Sequence, residues 1–285
     1  MEGHIVFRKI SLIILIGFIS YISFYFLVPN VSKLKKESPQ KTTFMEYRER
    51  EWREKGRPIR IRKTWIPLSR ISPYLIKAVI IAEDDKFWSH EGFDFEAIQK
   101  ALEKDLKARK FKVGGSTISQ QLAKNLFLTP TKNPWRKLKE AVLTWRIERT
   151  LTKRRIIELY LNVVEWGEGI FGIEAAARHY FGKSAAALGP EEAARLAVVL
   201  PNPRKFNPLG NSRYVAKRAA VIHNIMVKRG IVIPAFEEVM NPEPGYEKGN
   251  SRETHPVEKG DQGSAPPFYE PSRRVGEENG LDSKI

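Results

Sequence analysis

The residues best suited to chemistry cluster between Ile81 and Asp94, in the stretch I-A-E-D-D-K-F-W-S-H-E-G-F-D. Glu83, Asp84 and Asp85 follow the apolar run Ala78-Val79-Ile80-Ile81-Ala82, and Phe87, Trp88 and His90 come directly after them. A carboxylate at the end of an apolar segment is partly desolvated, which raises its pKa toward the range useful for proton transfer. An acidic helix end with a capping role explains the same residues. The stretch alone leaves both readings open.

Two further groups could handle an anion. In Gly114-Gly115-Ser116-Thr117-Ile118-Ser119-Gln120-Gln121-Leu122-Ala123-Lys124-Asn125, paired glycines let backbone N–H groups approach a ligand closely, and Ser or Thr caps the helix that follows. The start of such a helix favours phosphate, with Lys124 in reach of an anion beside it. The alternative is an ordinary capped helix with Gln120 and Gln121 in solvent. Farther on, Arg136, Lys137 and Glu140 share one helical face. That is either a surface salt bridge of little worth or a carboxylate held ionised beside phosphate-binding cations.

The elements that must position these groups are mostly helical. Ile10 to Val28 carry no charge, and a helix of that length, at about 1.5 Å per residue, nearly spans a hydrocarbon core of about 30 Å. Tyr21 and Tyr25 lie toward its far end, where interfacial aromatics belong. Residues 1–9 form a short tail, 10–28 a membrane anchor and 29–64 a basic juxtamembrane linker. A folded domain over 65–235 and a Pro/Gly-rich disordered tail over 236–285 complete the expected division. Ser72-Pro73 suits a helix start leading to Glu83. Phe95, Ile98, Leu102 and Leu106 recur at helical spacing and predict a core-facing helix. Trp135 to Asn162 reads as one long helix, with Glu148, Arg149, Lys153, Arg154 and Arg155 on a solvated face and Ile156, Leu159 and Tyr160 in the core. Shorter helices follow over Ile173–Phe181, Glu191–Leu200 and Tyr214–Arg229.

Composition narrows the partners. With 49 Lys+Arg against 33 Asp+Glu the formal charge is +16, which favours anionic partners. No nucleic-acid-binding module accompanies that charge, so nucleic acid is not expected. Cysteine is absent, which excludes thiolate chemistry and Cys-based zinc sites. Gly182-Lys183-Ser184 lacks the upstream glycine of a P-loop, and His90-Glu91 lacks the second histidine of a zincin helix.

Four stretches in this order resemble the peptidoglycan glycosyltransferase family, found at the N-terminal end of bifunctional penicillin-binding proteins. They are E-D-D-K-F-W-S-H-E-G-F-D, G-G-S-T-I-S-Q-Q-L-A-K-N-L, R-K-L-K-E and I-I-E-L-Y-L-N with the later glycine-rich turn. The resemblance covers roughly residues 65 to 230 and looks like the monofunctional, biosynthetic form. It implies a mainly α, lysozyme-like two-lobed domain behind one N-terminal transmembrane helix. The implied substrate is lipid II, a disaccharide-pentapeptide on undecaprenyl pyrophosphate, polymerised with inversion into glycan on the outer face of the cytoplasmic membrane. That placement opposes the basic count after the span, which by itself would put the domain inside.

By the same resemblance Glu83 is the general base, and Lys124, Arg136 and Lys137 receive the pyrophosphate. Glu140, the second carboxylate, orients those cations or coordinates a divalent metal. Ser116, Thr117, Gln120, Gln121 and Asn125 line the cleft, while Asp84, Phe87 and His90 support Glu83. No cofactor is obligatory, though a divalent metal such as Mg²⁺ is compatible with the pyrophosphate. Cell-wall synthesis or division proteins are the expected protein partners. The rival readings are a lytic enzyme with a single catalytic Glu and a catalytically silent membrane scaffold.

Overall fold

Apolar surface decides where the chain folds. The computed structural model describes residues 2–57, 59–108, 115–131 and 133–233. The expected disordered tail over 236–285, and Gly114 of the glycine pair, lie outside the described residues. The first helix, α1 (Glu2–Leu27), contains an apolar window over Val6–Tyr25 of mean hydropathy 1.8. By length and composition it could cross a membrane. Ile13 and Ile14 stand 69% and 66% exposed on it, a surface that water disfavours and a bilayer accepts.

The segment expected to be a linker over 29–64 is folded instead. A short 3₁₀ turn at Val31–Lys35 buries Val31 and Leu34. Helix α2 (Thr43–Glu54), capped by the Thr42 hydroxyl on the Met45 N–H (3.2 Å), buries Phe44, Met45 and Trp52. Arg48 on α2 pairs with the buried Glu165 carboxylate at 2.9 Å. Strand β1 (Arg62–Lys63) lies parallel to β3 (Ile170–Phe171), which pairs antiparallel with β2 (Glu165–Gly167). The many charges on α2 hide a sparse but fully inserted apolar face.

The rest is helical. Helix α3 (Pro73–Glu83) starts with proline at its first turn, as Ser72-Pro73 suggests, and buries Leu75, Ala78, Val79 and Ile80. It packs against α9 (Pro190–Val199) and α10 (Arg213–Lys228). Helices α5 (Ile118–Phe127), α6 (Pro134–Thr150) and α7 (Lys153–Val163) form the other main packing group, and α8 (Ile173–Phe181) lies over the small sheet. The expected single helix over 135–162 is therefore two. Thr152 leaves the helical conformation (φ −74°, ψ 152°) and its hydroxyl accepts the Arg155 N–H at 3.2 Å. A capping threonine at that point offers the backbone a better partner than helix continuation.

Helix α4 (Phe95–Ala108) corrects another expectation. Phe95 is 76% exposed and Ile98 only half-buried, so its described apolar residues do not face the core. The side chains of Leu102 and Leu106 lie outside the described residues.

Trp52 separates a folded 29–64 from a linker. Trp52→Ala should cost about 3–5 kcal/mol and lower the thermal midpoint by roughly 10 °C. Trp52→Phe, which removes an indole N–H that has no protein partner, should cost far less. A calorimetric or circular-dichroism melt of both variants checks this. Equal midpoints for wild type and Trp52→Ala would return the segment to a linker.

Candidate active site

Helix α3 delivers Glu83 as its last residue and Asp84 as its C-cap, whose N–H closes on the Ile80 carbonyl at 2.9 Å. The side chains then diverge. Asp84 turns inward and is buried. Its Oδ1 lies 2.9 Å from His90 Nε2, and its Oδ2 accepts the Ile118 N–H at 2.9 Å. His90 Nδ1 accepts the Gly92 N–H at 3.0 Å, which assigns the ring proton to Nε2, donated to Asp84. Gly92 sits at φ +92°, and a Cβ there would meet Glu148 Cγ at 2.9 Å, so this turn requires glycine. Phe87 is fully buried, with the Lys153 ammonium 4.7 Å from its ring centroid. Asp84, His90 and Phe87 thus hold the loop after Glu83.

Glu83 turns the other way. Its Oε2 accepts from Gln121 Nε2 at 2.7 Å, and Gln121 Oε1 accepts from the Tyr160 hydroxyl at 3.0 Å. Among the described residues nothing donates to Oε1. Glu83 lines a cavity of about 240 Å³ together with Asp85, Lys86, Asp94, Ser116 and Thr117. Burial pushes its carboxyl above the ordinary range, and the charge of Asp84 adds to the rise. The Gln121 hydrogen bond and the charges of Lys124 and Arg218 oppose it.

The second motif is split between chemistry and architecture. Thr117 caps α5 by accepting the Gln120 N–H at 3.2 Å, and Gln120 Oε1 accepts the Thr117 N–H at 3.0 Å. This is a capping box. The Thr117 hydroxyl also donates to the Gly92 carbonyl at 2.7 Å, tying the two motifs together. Asn125 is buried and donates to the Gln121 carbonyl at 2.8 Å. The side chains of Thr117, Gln120 and Asn125 are therefore engaged within the protein, and Thr117 also lines the cavity beside Glu83. Gln121, Ser116 and Lys124 remain on the site. Burial lowers the Lys124 ammonium below its usual range, the nearby Arg136 and Lys137 add to this, and the charges of Glu140 and Glu83 oppose it. Lys124 thus feels both carboxylates.

The third motif rides on the first two turns of α6. Asn133 caps that helix through the Trp135 N–H (2.8 Å), and Pro134 opens it. Glu140 is 3% exposed. Its Oε2 accepts from Arg136 Nη1 at 2.6 Å, and its Oε1 accepts from Lys137, whose ammonium also lies 3.5 Å from Ser116 Oγ. With both oxygens held by cations, Glu140 is placed to orient them. Among the described residues no group of three or more His, Asp or Glu side chains is placed to hold a metal.

Two residues of the site carry no signal of it in the sequence. Tyr160 falls on the core period of its helix, yet a buried phenol needs a partner, and here it orients Gln121; burial holds its hydroxyl proton firmly. Arg218 on α10 lies at the edge of a face that buries Val215, Ala219 and Ile222, and its charge reaches Glu83. The expected solvated face of α6 and α7 is also partly engaged. Glu148 accepts from Ser119 and from Lys153 (2.8 Å), and Arg155 donates to the Leu34 and Glu37 carbonyls at 2.8 Å each.

Comparison with known proteins agrees with this geometry. The family model described as Transglycosylase matches residues 53–227. A biosynthetic peptidoglycan transglycosylase of Nitrosospira multiformis is 52% identical over 194 residues, covering 68% of this chain and 84% of the relative. Proteins of the same name from Dechloromonas aromatica and Laribacter hongkongensis are 54% and 46% identical, covering 65% and 67% of this chain and 80% and 84% of theirs. The chain therefore belongs to the transglycosylase family, with its mainly helical, lysozyme-like fold, and is a peptidoglycan glycosyltransferase of cell-wall synthesis.

Proposed function

We propose that the enzyme polymerises lipid II into β-1,4-linked glycan with inversion and release of undecaprenyl pyrophosphate. The observation that carries this reading is the pairing of a desolvated Glu83, one oxygen open to a cavity, with Lys124, Arg136 and Lys137 gathered around the second carboxylate. Glu83 takes the proton from the acceptor sugar's 4-hydroxyl. That oxygen attacks the anomeric carbon of the growing chain, and the bond from that carbon to the phosphate oxygen breaks. Its electron pair leaves on the pyrophosphate, and the three cations stabilise the developing charge. Glu140 keeps Arg136 and Lys137 oriented before substrate arrives. A lytic enzyme with one catalytic Glu has no lipid pyrophosphate to receive and no need of this cluster.

In the same reading α1 is a single-pass anchor in the cytoplasmic membrane and the catalytic unit lies on its outer face. The growing glycan and cell-wall synthesis or division proteins are its partners there. A divalent metal such as Mg²⁺ would accompany the pyrophosphate.

Three outcomes test the chemistry. Glu83→Gln should melt as wild type and lose polymerisation of labelled lipid II by about 10²–10⁴-fold. Near-wild-type polymer from that variant would sink the assignment of the base. Glu140→Gln should keep the fold and lose about 10²-fold in kcat/KM by freeing the cations. The pH profile supplies the third. A base must be deprotonated, so activity rises as pH climbs through the Glu83 pKa, and burial places that limb above the ordinary carboxylate value of about 4.3. The Arg218 charge lowers that pKa, so Arg218→Ala should move the acid limb to still higher pH. A limb that stays put, or moves down, would remove Arg218 from the site.

A further inference from the structure

The anchor helix is not a free tether. On α1, Phe18, Tyr21 and Tyr25 recur at i, i+3 and i+7 and so share one face. Phe18 and Tyr25 are half-buried where most of their described neighbours are exposed. Facing them is a stripe of α6 at Trp135, Lys139 and Arg146. The Phe18 and Trp135 rings meet edge to face with centroids 5.1 Å apart. The Lys139 ammonium lies 4.5 Å from the Tyr21 ring centroid and 5.0 Å from that of Tyr25, two cation–π contacts from one side chain. Arg146 then closes the end of α1. Its Nη1 donates to the Tyr25 carbonyl at 2.9 Å and its Nη2 to the Leu27 carbonyl at 3.3 Å. The last-turn carbonyls of a helix have no partner inside it, so a guanidinium from the catalytic unit acts as the C-terminal cap of the anchor.

The same helix carries the cation cluster on the adjoining face. Lys139 precedes Glu140 by one residue and follows Arg136 by three, which along a helix is about 1.5 Å and about 4.5 Å. Tyr21 and Tyr25 close the apolar window Val6–Tyr25, the depth at which aromatic rings sit in the interface. Fixing Lys139 against those rings therefore fixes Arg136 and Glu140 within about one helical turn of the interface. The pyrophosphate of a lipid-linked sugar, joined directly to its lipid, lies at that level.

We propose that α1 is a positioning element of the active site, and that Lys139 and Arg146 set the height of the Arg136–Lys137–Glu140 cluster at the membrane surface. The inference rests on the lipid-linked substrate proposed above. Docking removes the freedom that a flexible tether would have to lose at each encounter, and so acts on substrate capture. Lys139 and Arg146 touch the anchor and not the reacting atoms.

The test uses the full chain in vesicles containing lipid II, with KM expressed as a mole fraction. The double variant Lys139→Ala, Arg146→Ala should raise KM about tenfold, with kcat within about twofold and the thermal midpoint unchanged. Lys139→Arg, which keeps a cation over the rings, should retain a KM near that of wild type. An unchanged KM in the double variant would overturn the proposal, as would a rise accompanied by a lowered midpoint. A second arm needs no turnover. The sequence has no cysteine, so Phe18→Cys with Trp135→Cys supplies the only two thiols, and a short bis-maleimide should join them within one chain in vesicles. Absence of that cross-link would overturn the docking. A wild type that makes no polymer while the thiols still cross-link would sink the substrate reading and leave the docking standing.

Discussion

The site depends on the Asp84 carboxylate. It is buried, and its two oxygens serve different partners. One receives the His90 imidazole, the other the Ile118 N–H at the start of α5. An anion at the first turn of a helix also meets the positive end of its dipole. A buried carboxylate left unpaired would be costly, so the chain around it is held in the arrangement that satisfies both oxygens. That arrangement brings α5 alongside the end of α3, which lets Gln121 meet Glu83. The Thr117 hydroxyl on the Gly92 carbonyl closes the same junction from the backbone side. Glu83 is therefore placed by contacts that belong to its neighbours.

The second carboxylate works by the opposite logic. Glu140 is as buried as Asp84 but is satisfied by cations. A buried ion pair contributes little net stability once desolvation is counted. In the proposed reaction its use is preorganisation: Arg136 and Lys137 are fixed before any phosphate arrives, so little reorganisation accompanies the developing charge. Lys137 also lies near Ser116, so the cluster reaches across to the start of α5, whose frame Asp84 sets.

The four motifs are legible in the sequence because each concentrates residue types that are unfavourable without a role, such as three acids after an apolar run. What each residue does inside its motif is less so. Thr117 and Gln120 read equally well as cleft residues or as helix caps, and the structure shows a capping box in which Thr117 also lines the cavity. Tyr160 is legible as core from its period, while its hydroxyl partner lies 39 residues away and has no local signature. Arg218 looks like one more solvated base on a basic chain. The sequence misleads wherever charge masks a sparse apolar face, as on α2, where Phe44, Met45 and Trp52 are buried among seven charged residues. It misleads again where one capping residue interrupts a continuous period, as Thr152 does between α6 and α7.

Desolvation acts on Glu83 and Lys124 in the same sense, pushing each toward its neutral form. Their opposite charges restrain this, since Lys124 lowers the Glu83 pKa and Glu83 raises that of Lys124. In the proposed reaction a pyrophosphate settling beside Lys124 strengthens the charged form of the lysine and offsets part of the field that had been lowering the pKa of Glu83. The carboxylate becomes a stronger base as the leaving group is seated. Without substrate, Lys124, Arg218 and the Gln121 hydrogen bond favour the ionised carboxylate, ready to accept a proton. In the proposed reaction the basicity of Glu83 is thus coupled to pyrophosphate occupancy through the charge of Lys124.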